Sequence, residues 1–219
     1  MMPNLEAAAI KAAETLIEYR ISAAPVEPIH ILKSTPNVVV TTFAEMALEA
    51  GMERNNLLKI FSKENHDAMT YIREIRGKLR YFVVFNQRLP MFMIQRGLAR
   101  ELGHVLLGHD GSRPEDVRME EANVFAYHLI CPRPIIRAVQ DSPIRLTTEV
   151  LGTMTGCFER CLAGMRKTPG VKVPAKLNRQ VKAQFADYLE DFIDFYSILS
   201  DSDESADANF GTFMDGYVE

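Results

Sequence analysis

The 219-residue sequence has no Trp and only three Cys, and nowhere gathers its hydrophobic residues into a run long enough to cross a bilayer. Its longest uncharged stretches, Ser34 to Ala44 and Ala122 to Pro132, reach about a dozen residues, where a membrane-spanning helix needs ~20. No membrane partner or span is therefore expected. Cys131, Cys157 and Cys161 are odd in number and sit in or beside apolar segments, which reads as reduced, mostly buried thiols rather than a disulfide framework. A zinc site built on Cys157 and Cys161 alone would lack its other ligands. The opening Met1-Met2-Pro3-Asn4-Leu5-Glu6 shows no cationic patch followed by an apolar stretch and a small-residue cleavage site, so a cytoplasmic protein is expected. An excess of positive charge is also lacking. The 25 Lys and Arg against 29 Asp and Glu leave a net charge of −4, which argues against nucleic acid as a strong partner of the whole chain.

What is present suits a globular protein with one good-sized core or two small ones. Residues 4–20 repeat Leu5, Ala9, Ala12, Ala13, Leu16 and Ile17 at helical spacing. Pro25 and Pro28 break that pattern, a short helical piece covers 29–33, and the β-branched run 38–42 reads as a strand followed by helix to Gly51. Residues 69–75 and 79–85 are two strand-like runs around Arg76-Gly77-Lys78, which suits a hairpin. A long apolar-periodic helix is predicted over 91–107 and a second over roughly 116–130. Two shorter helices around Thr155-Gly156 and one continuous helix over 175–199 complete the pattern. Helix, small sheet, then helices is the order of an α+β fold, with a small antiparallel sheet and a helical C-terminal extension.

The segment that can carry chemistry is Arg100-Glu101-Leu102-Gly103-His104, followed by Leu107-Gly108-His109. Two His four residues apart on a helix share one face and can hold zinc, while a Glu beside the first acts as general base on metal-bound water. Here Glu101 and His104 are in place, but the first His position is Arg100, whose guanidinium offers only donors and cannot ligate a cation.

Around this segment the sequence resembles the ImmA/IrrE family of zinc metallopeptidase-like proteins of bacteria and their mobile elements. The resemblance is carried by Phe85-Asn86, by Glu101 to His104 with Leu107 to His109, by Glu121-Ala122-Asn123-Val124-Phe125-Ala126 running on to Pro132, and by Pro25-Val26-Glu27-Pro28-Ile29. It covers about residues 5–168. It implies a gluzincin-type cleft framed by the two middle helices, zinc as cofactor, Glu101 as catalytic base and His104 as a metal ligand. It also implies an acidic ligand at position 119, where this sequence has Met, a poor zinc ligand beside carboxylate or imidazole. Glu120 is the nearest substitute, turned by about 100° from Met119 on a helix.

Two functional readings stand beside each other on this basis. One is a degenerate relative with Arg100 as a built-in cation paired to Glu101 or Glu120, whose cleft binds a regulatory protein, such as a helix-turn-helix repressor. The other is an active endopeptidase with a rearranged ligand set that cleaves a repressor. His109 and His128 are expected to be structural, because a step of five from His104 points away on a helix. Gly103 in mid-helix implies close approach of a neighbouring element. The domain plan is 1–168 for the peptidase-like domain, 169–199 for a basic linker and helix, and 200–219 for a disordered acidic tail. From Arg166 to Lys182 there are six basic and no acidic residues, whereas the stretch from Ser200 contributes −6 and leaves residues 1–199 at +2. The basic stretch is a candidate contact surface for nucleic acid or for the acidic tail itself.

Overall fold

A computed structural model describes residues 2–49, 51, 56, 67–156 and 170–200. The architecture is α+β. The elements in order are α1 (Leu5–Glu18), α2 (Pro28–Ser34), β1 (Val38–Thr42), α3 (Phe43–Glu49), β2 (Ala68–Ile75), β3 (Lys78–Phe85), α4 (Met91–Leu106), α5 (Glu115–Ile130), α6 (Arg133–Gln140), α7 (Thr148–Thr155), α8 (Ala175–Gln184) and α9 (Ala186–Ser200). The described residues fall into two compact units, one drawn from those up to Asn4 and from Glu27–Ala126, the other from Leu5–Val26 and those from Tyr127 to Ser200.

In the first unit, β2 and β3 form the expected antiparallel hairpin with Ile75 opposite Lys78. The two-residue turn between them has positive φ at both positions, 55° at Arg76 and 73° at Gly77, the twist that a tight hairpin needs. β1 joins β3 in parallel, Val38 opposite Tyr81 through Thr42 opposite Phe85, so the three strands run in the order β1-β3-β2 and the sheet is mixed rather than wholly antiparallel. The parallel pairing is possible because α3 and the chain up to β2 supply the long return that parallel strands require. α3 starts with a reciprocal cap: the Glu45 carboxylate accepts from the Thr42 amide at 2.9 Å, and the Glu45 amide donates to the Thr42 hydroxyl at 3.1 Å. Ile31, Leu32, Phe43, Val83, Val84, Leu98, Leu102 and Phe125 form its buried core.

α4 and α5 approach closely at Gly103. A Cβ there would lie 3.0 Å from Phe125 Cδ1 and 3.2 Å from both Cα and O of Ala122, so a larger residue would crowd the Ala122 backbone. α4 ends in a Schellman turn. The His109 amide donates to the His104 carbonyl at 3.0 Å and the Gly108 amide to that of Val105 at 3.2 Å, with Gly108 at φ 66°.

In the second unit, Ala8, Ala9, Ala12 and Leu16 of α1, Ile135, Ile136 and Val139 of α6, Leu151 and Met154 of α7, and Val181, Phe185 and Leu189 are buried. α7 opens on Thr147, whose hydroxyl accepts from the Val150 amide at 3.2 Å, and closes at Gly156 with φ 65°. The single helix expected over 175–199 is two helices. The chain leaves helical geometry at Phe185 (φ −95°, ψ 10°), a fully buried side chain; neither Gly nor Pro announces the break. Cys131 is a buried free thiol. Cys157, Cys161, the second helix of the pair around Gly156, residues 166–169 and the acidic tail lie outside the described residues.

Candidate functional site

The site is built on α4. Arg96 and Arg100 are one turn apart, and both reach Asp67, the residue immediately before β2. Arg100 is 6% exposed. Its Nη2 donates to Asp67 Oδ1 at 3.0 Å, to the Ala68 carbonyl at 2.8 Å and to Glu101 Oε1 at 2.8 Å, while Nε donates to the same Glu101 oxygen at 3.0 Å. Nη1 donates to Asp67 Oδ2 at 3.3 Å, an oxygen that also accepts from Arg96 at 3.1 Å. Two guanidinium groups thus face two carboxylates, and the cluster is formally neutral. This is the condition under which buried charges are tolerated.

Local electrostatics follow from burial and pairing. Burial by itself would raise the Asp67 carboxyl, but the Arg100 guanidinium and the hydrogen bonds it makes hold it below the ordinary range. Burial would lower Arg100, and Glu101 and Asp67 outweigh it, so the guanidinium is held more firmly in its charged form. For Glu101, 3% exposed, burial wins over the guanidinium and pushes the carboxyl up.

A second chain of contacts starts at His104. Its Nδ1 lies 2.9 Å from His109 Nδ1, and His109 Nε2 lies 2.9 Å from Glu121 Oε2. Glu121 also accepts from the Asn4 amide at 2.7 Å and from Arg113 at 3.0 Å. Burial would raise Glu121, yet those donors hold it low, so it is an ionised acceptor. His109 is buried and its imidazole is held below the usual range by burial against the pull of Glu121. A neutral His109 that donates from Nε2 to Glu121 has only a lone pair on Nδ1, so His104 must donate from its own Nδ1. Burial, then His109 and Arg100, push His104 down to about 3. It is neutral, and its Nε2 carries the lone pair.

His109 is the neighbour of His104 that helix geometry alone misplaces. A step of five points away only if the helix continues, and the Schellman turn at Gly108 folds His109 back onto His104; Gly one residue past the helical stretch is the signal that identifies it. Asp67 is likewise brought in by the fold, 33 positions before Arg100. Glu120, the candidate substitute ligand, is exposed, whereas the adjacent Glu121 is the buried carboxylate. Met119 is half-buried on α5. Asn86 is buried and turns the chain after β3, its Oδ1 accepting from the Arg88 amide at 3.2 Å. His128 is buried and pushed to about 3 by burial and Arg133.

Zinc does not fit the ligand positions as they stand. The first is filled by a guanidinium already committed to Asp67, Glu101 and a carbonyl, and the third offers a thioether. Among the described residues, no group of three or more His, Cys, Asp or Glu is arranged to hold a metal ion. No helix among them is long and apolar enough to cross a membrane.

Comparison with known proteins matches residues 55–150 to the Peptidase M78 family model, described as the IrrE N-terminal-like domain. No curated protein and no solved structure matches the chain.

Proposed function

Residues 55–150 match the IrrE N-terminal-like family model, and from that premise we propose that this protein is a cytoplasmic, metal-independent relative of that family that binds a regulatory protein instead of cutting it. The observation that carries this reading is the position of Arg100. A zinc ion would bring positive charge beside Glu101; the guanidinium supplies that charge from a side chain, with Asp67 as a second counter-charge. Glu101 is then an ion-pair partner and not a carboxylate free to take a proton from water. The sheet and the α4–α5 pair would then supply the frame that aligns a polypeptide, and a repressor-type protein with a helix-turn-helix domain is the partner class the family suggests.

The test is metal content. Protein purified without chelator is expected to hold far less than one zinc per chain, and His104→Ala is expected to leave that content unchanged. Stoichiometric zinc that disappears in His104→Ala overturns the proposal. A second reading, an active endopeptidase with rearranged ligands, is favoured by one observation. The Glu121–His109 chain fixes the His104 tautomer with a lone pair on Nε2, the support that a metal-binding His ordinarily receives. On that reading Glu101→Gln abolishes peptide hydrolysis, whereas a binding module keeps its partner after the same change.

A further inference from the structure

α8 is attached to its unit along one side. Val181 is buried, Gln184 donates to the carbonyls of Leu16 and Ile21 at 2.8 and 2.6 Å, and Asn178 donates to that of Val173 at 3.2 Å. Val173, Asn178 and Val181 also line a shallow cleft with Ala9, Ala13 and Leu16 of α1. At ~100° per residue, these inward positions leave Lys176, Arg179 and Lys182 on the opposite side, across an arc of about 120°. All three are exposed, as is Lys172 just before the helix. α8 contains no acidic residue, and among the described residues no carboxylate lies within ion-pair distance of these four cations. A face of like charges without counter-charges is self-repelling and open to an anionic partner.

The same chain carries that partner. Residues 201–219 hold Asp201, Asp203, Glu204, Asp207, Asp215 and Glu219 and no Lys or Arg. We infer that residues 201–219 dock on the outward face of α8 as an intramolecular anionic strap, competing with external polyanions for Lys176, Arg179 and Lys182. Length permits it. α9, 15 residues long, carries the chain ~21 Å from its start, and the 19 residues beyond it can extend ~60 Å. Asp207, Asp215 and Glu219 therefore have the reach to return to α8, whereas Asp201, one residue past α9, does not. Tethering also favours this occupant, because the encounter is intramolecular and needs no second molecule.

Two measurements on the full chain test the inference. Zero-length carbodiimide coupling at low salt, read by mass spectrometry, is expected to join Lys176 or Lys182 to Asp207, Asp215 or Glu219 within one chain. The links should fade by about 0.5 M salt, where screening is short-ranged. A variant with the six tail carboxylates changed to amides (D201N, D203N, E204Q, D207N, D215N and E219Q) is expected to bind a labelled 20-nucleotide single-stranded DNA about tenfold tighter than the unaltered chain. R179Q in that variant should weaken binding and flatten its salt dependence. Links only between two copies, no links to α8, equal DNA affinities for the two chains, or no DNA binding by either would overturn the inference.

Discussion

Removing the Arg100 guanidinium while keeping the side-chain volume, as in Arg100→Met, probes the centre of the site. The substitution strips Asp67 and Glu101 of a partner that makes contacts of 2.8–3.3 Å with both, and leaves two carboxylates at 6% and 4% side-chain exposure. Breaking a buried ion pair from one side costs about 3–5 kcal/mol, because the charge left behind is uncompensated. Arg96 still reaches Asp67, so the lower end, about 3 kcal/mol, is expected. At ~2–4 °C per kcal/mol for a chain of this size, the melting temperature should fall by about 6–12 °C at pH 7.5. The pH dependence gives the sharper signature. In the unaltered protein Asp67 titrates below its ordinary value, so its contribution is present above that value and lost as pH falls through the lowered one. In the variant, without the Arg100 charge, burial raises Asp67 and lifts Glu101 beyond the already raised position it has in the unaltered protein, so folding favours proton uptake more strongly; stability is greatest in acid and declines as pH rises past the ordinary carboxylate range. The gap between the two proteins should therefore be small near pH 4.5 and full above pH 7, as read by urea unfolding at each pH. A loss under about 1 kcal/mol, or one independent of pH, would refute the role given to Arg100.

The double change Arg100→His with Met119→Glu restores the ligand types of a zinc site on the α4–α5 pair. It is expected to yield about one zinc per chain by elemental analysis; a folded variant without zinc would show that these positions do not converge on a metal. Gly103→Ala gains helix propensity of about 1 kcal/mol, yet forces its Cβ against Phe125 and the Ala122 backbone. A net loss of about 1–3 kcal/mol is expected from overpacking, measured by chemical denaturation, and a stabilised variant would contradict the contact. His128 is held at about 3 against an ordinary 6.5, so between those values the unfolded chain binds more protons and stability falls as pH falls. His128→Gln should flatten that slope between pH 7 and 5 in urea midpoints, and an unchanged slope would refute it.

Much of this arrangement is local and could be read from residue order. The hairpin turn at Arg76-Gly77, the long helix carrying Glu101 and His104, and the glycine at the α4–α5 crossing all announce themselves through spacing or conformational demand. Met119 and Arg100 stand out because each differs from the ligand type that the family resemblance implies at its position. What could not be read is what three-dimensional pairing decides. The parallel register of β1 against β3 depends on how the chain returns after α3. Asp67 becomes a partner of Arg100 only when β2 lies beside α4. The α8–α9 break at Phe185 has no breaker residue and accompanies a fully buried ring. His109 lies between these cases, since its Gly108 signal is local and the imidazole contact it creates is not.

The guanidinium between Asp67 and Glu101 also has a consequence for how such a protein is supplied. A metal centre must be loaded, can be stripped by a chelator and follows the fortunes of the cell's ion pool. A charge on Arg100 is delivered with the polypeptide at synthesis, in fixed stoichiometry, and keeps its proton across the physiological pH range. The positive charge at the heart of the α4 site is therefore a constant of every copy of the chain, untouched by starvation, exchange or EDTA.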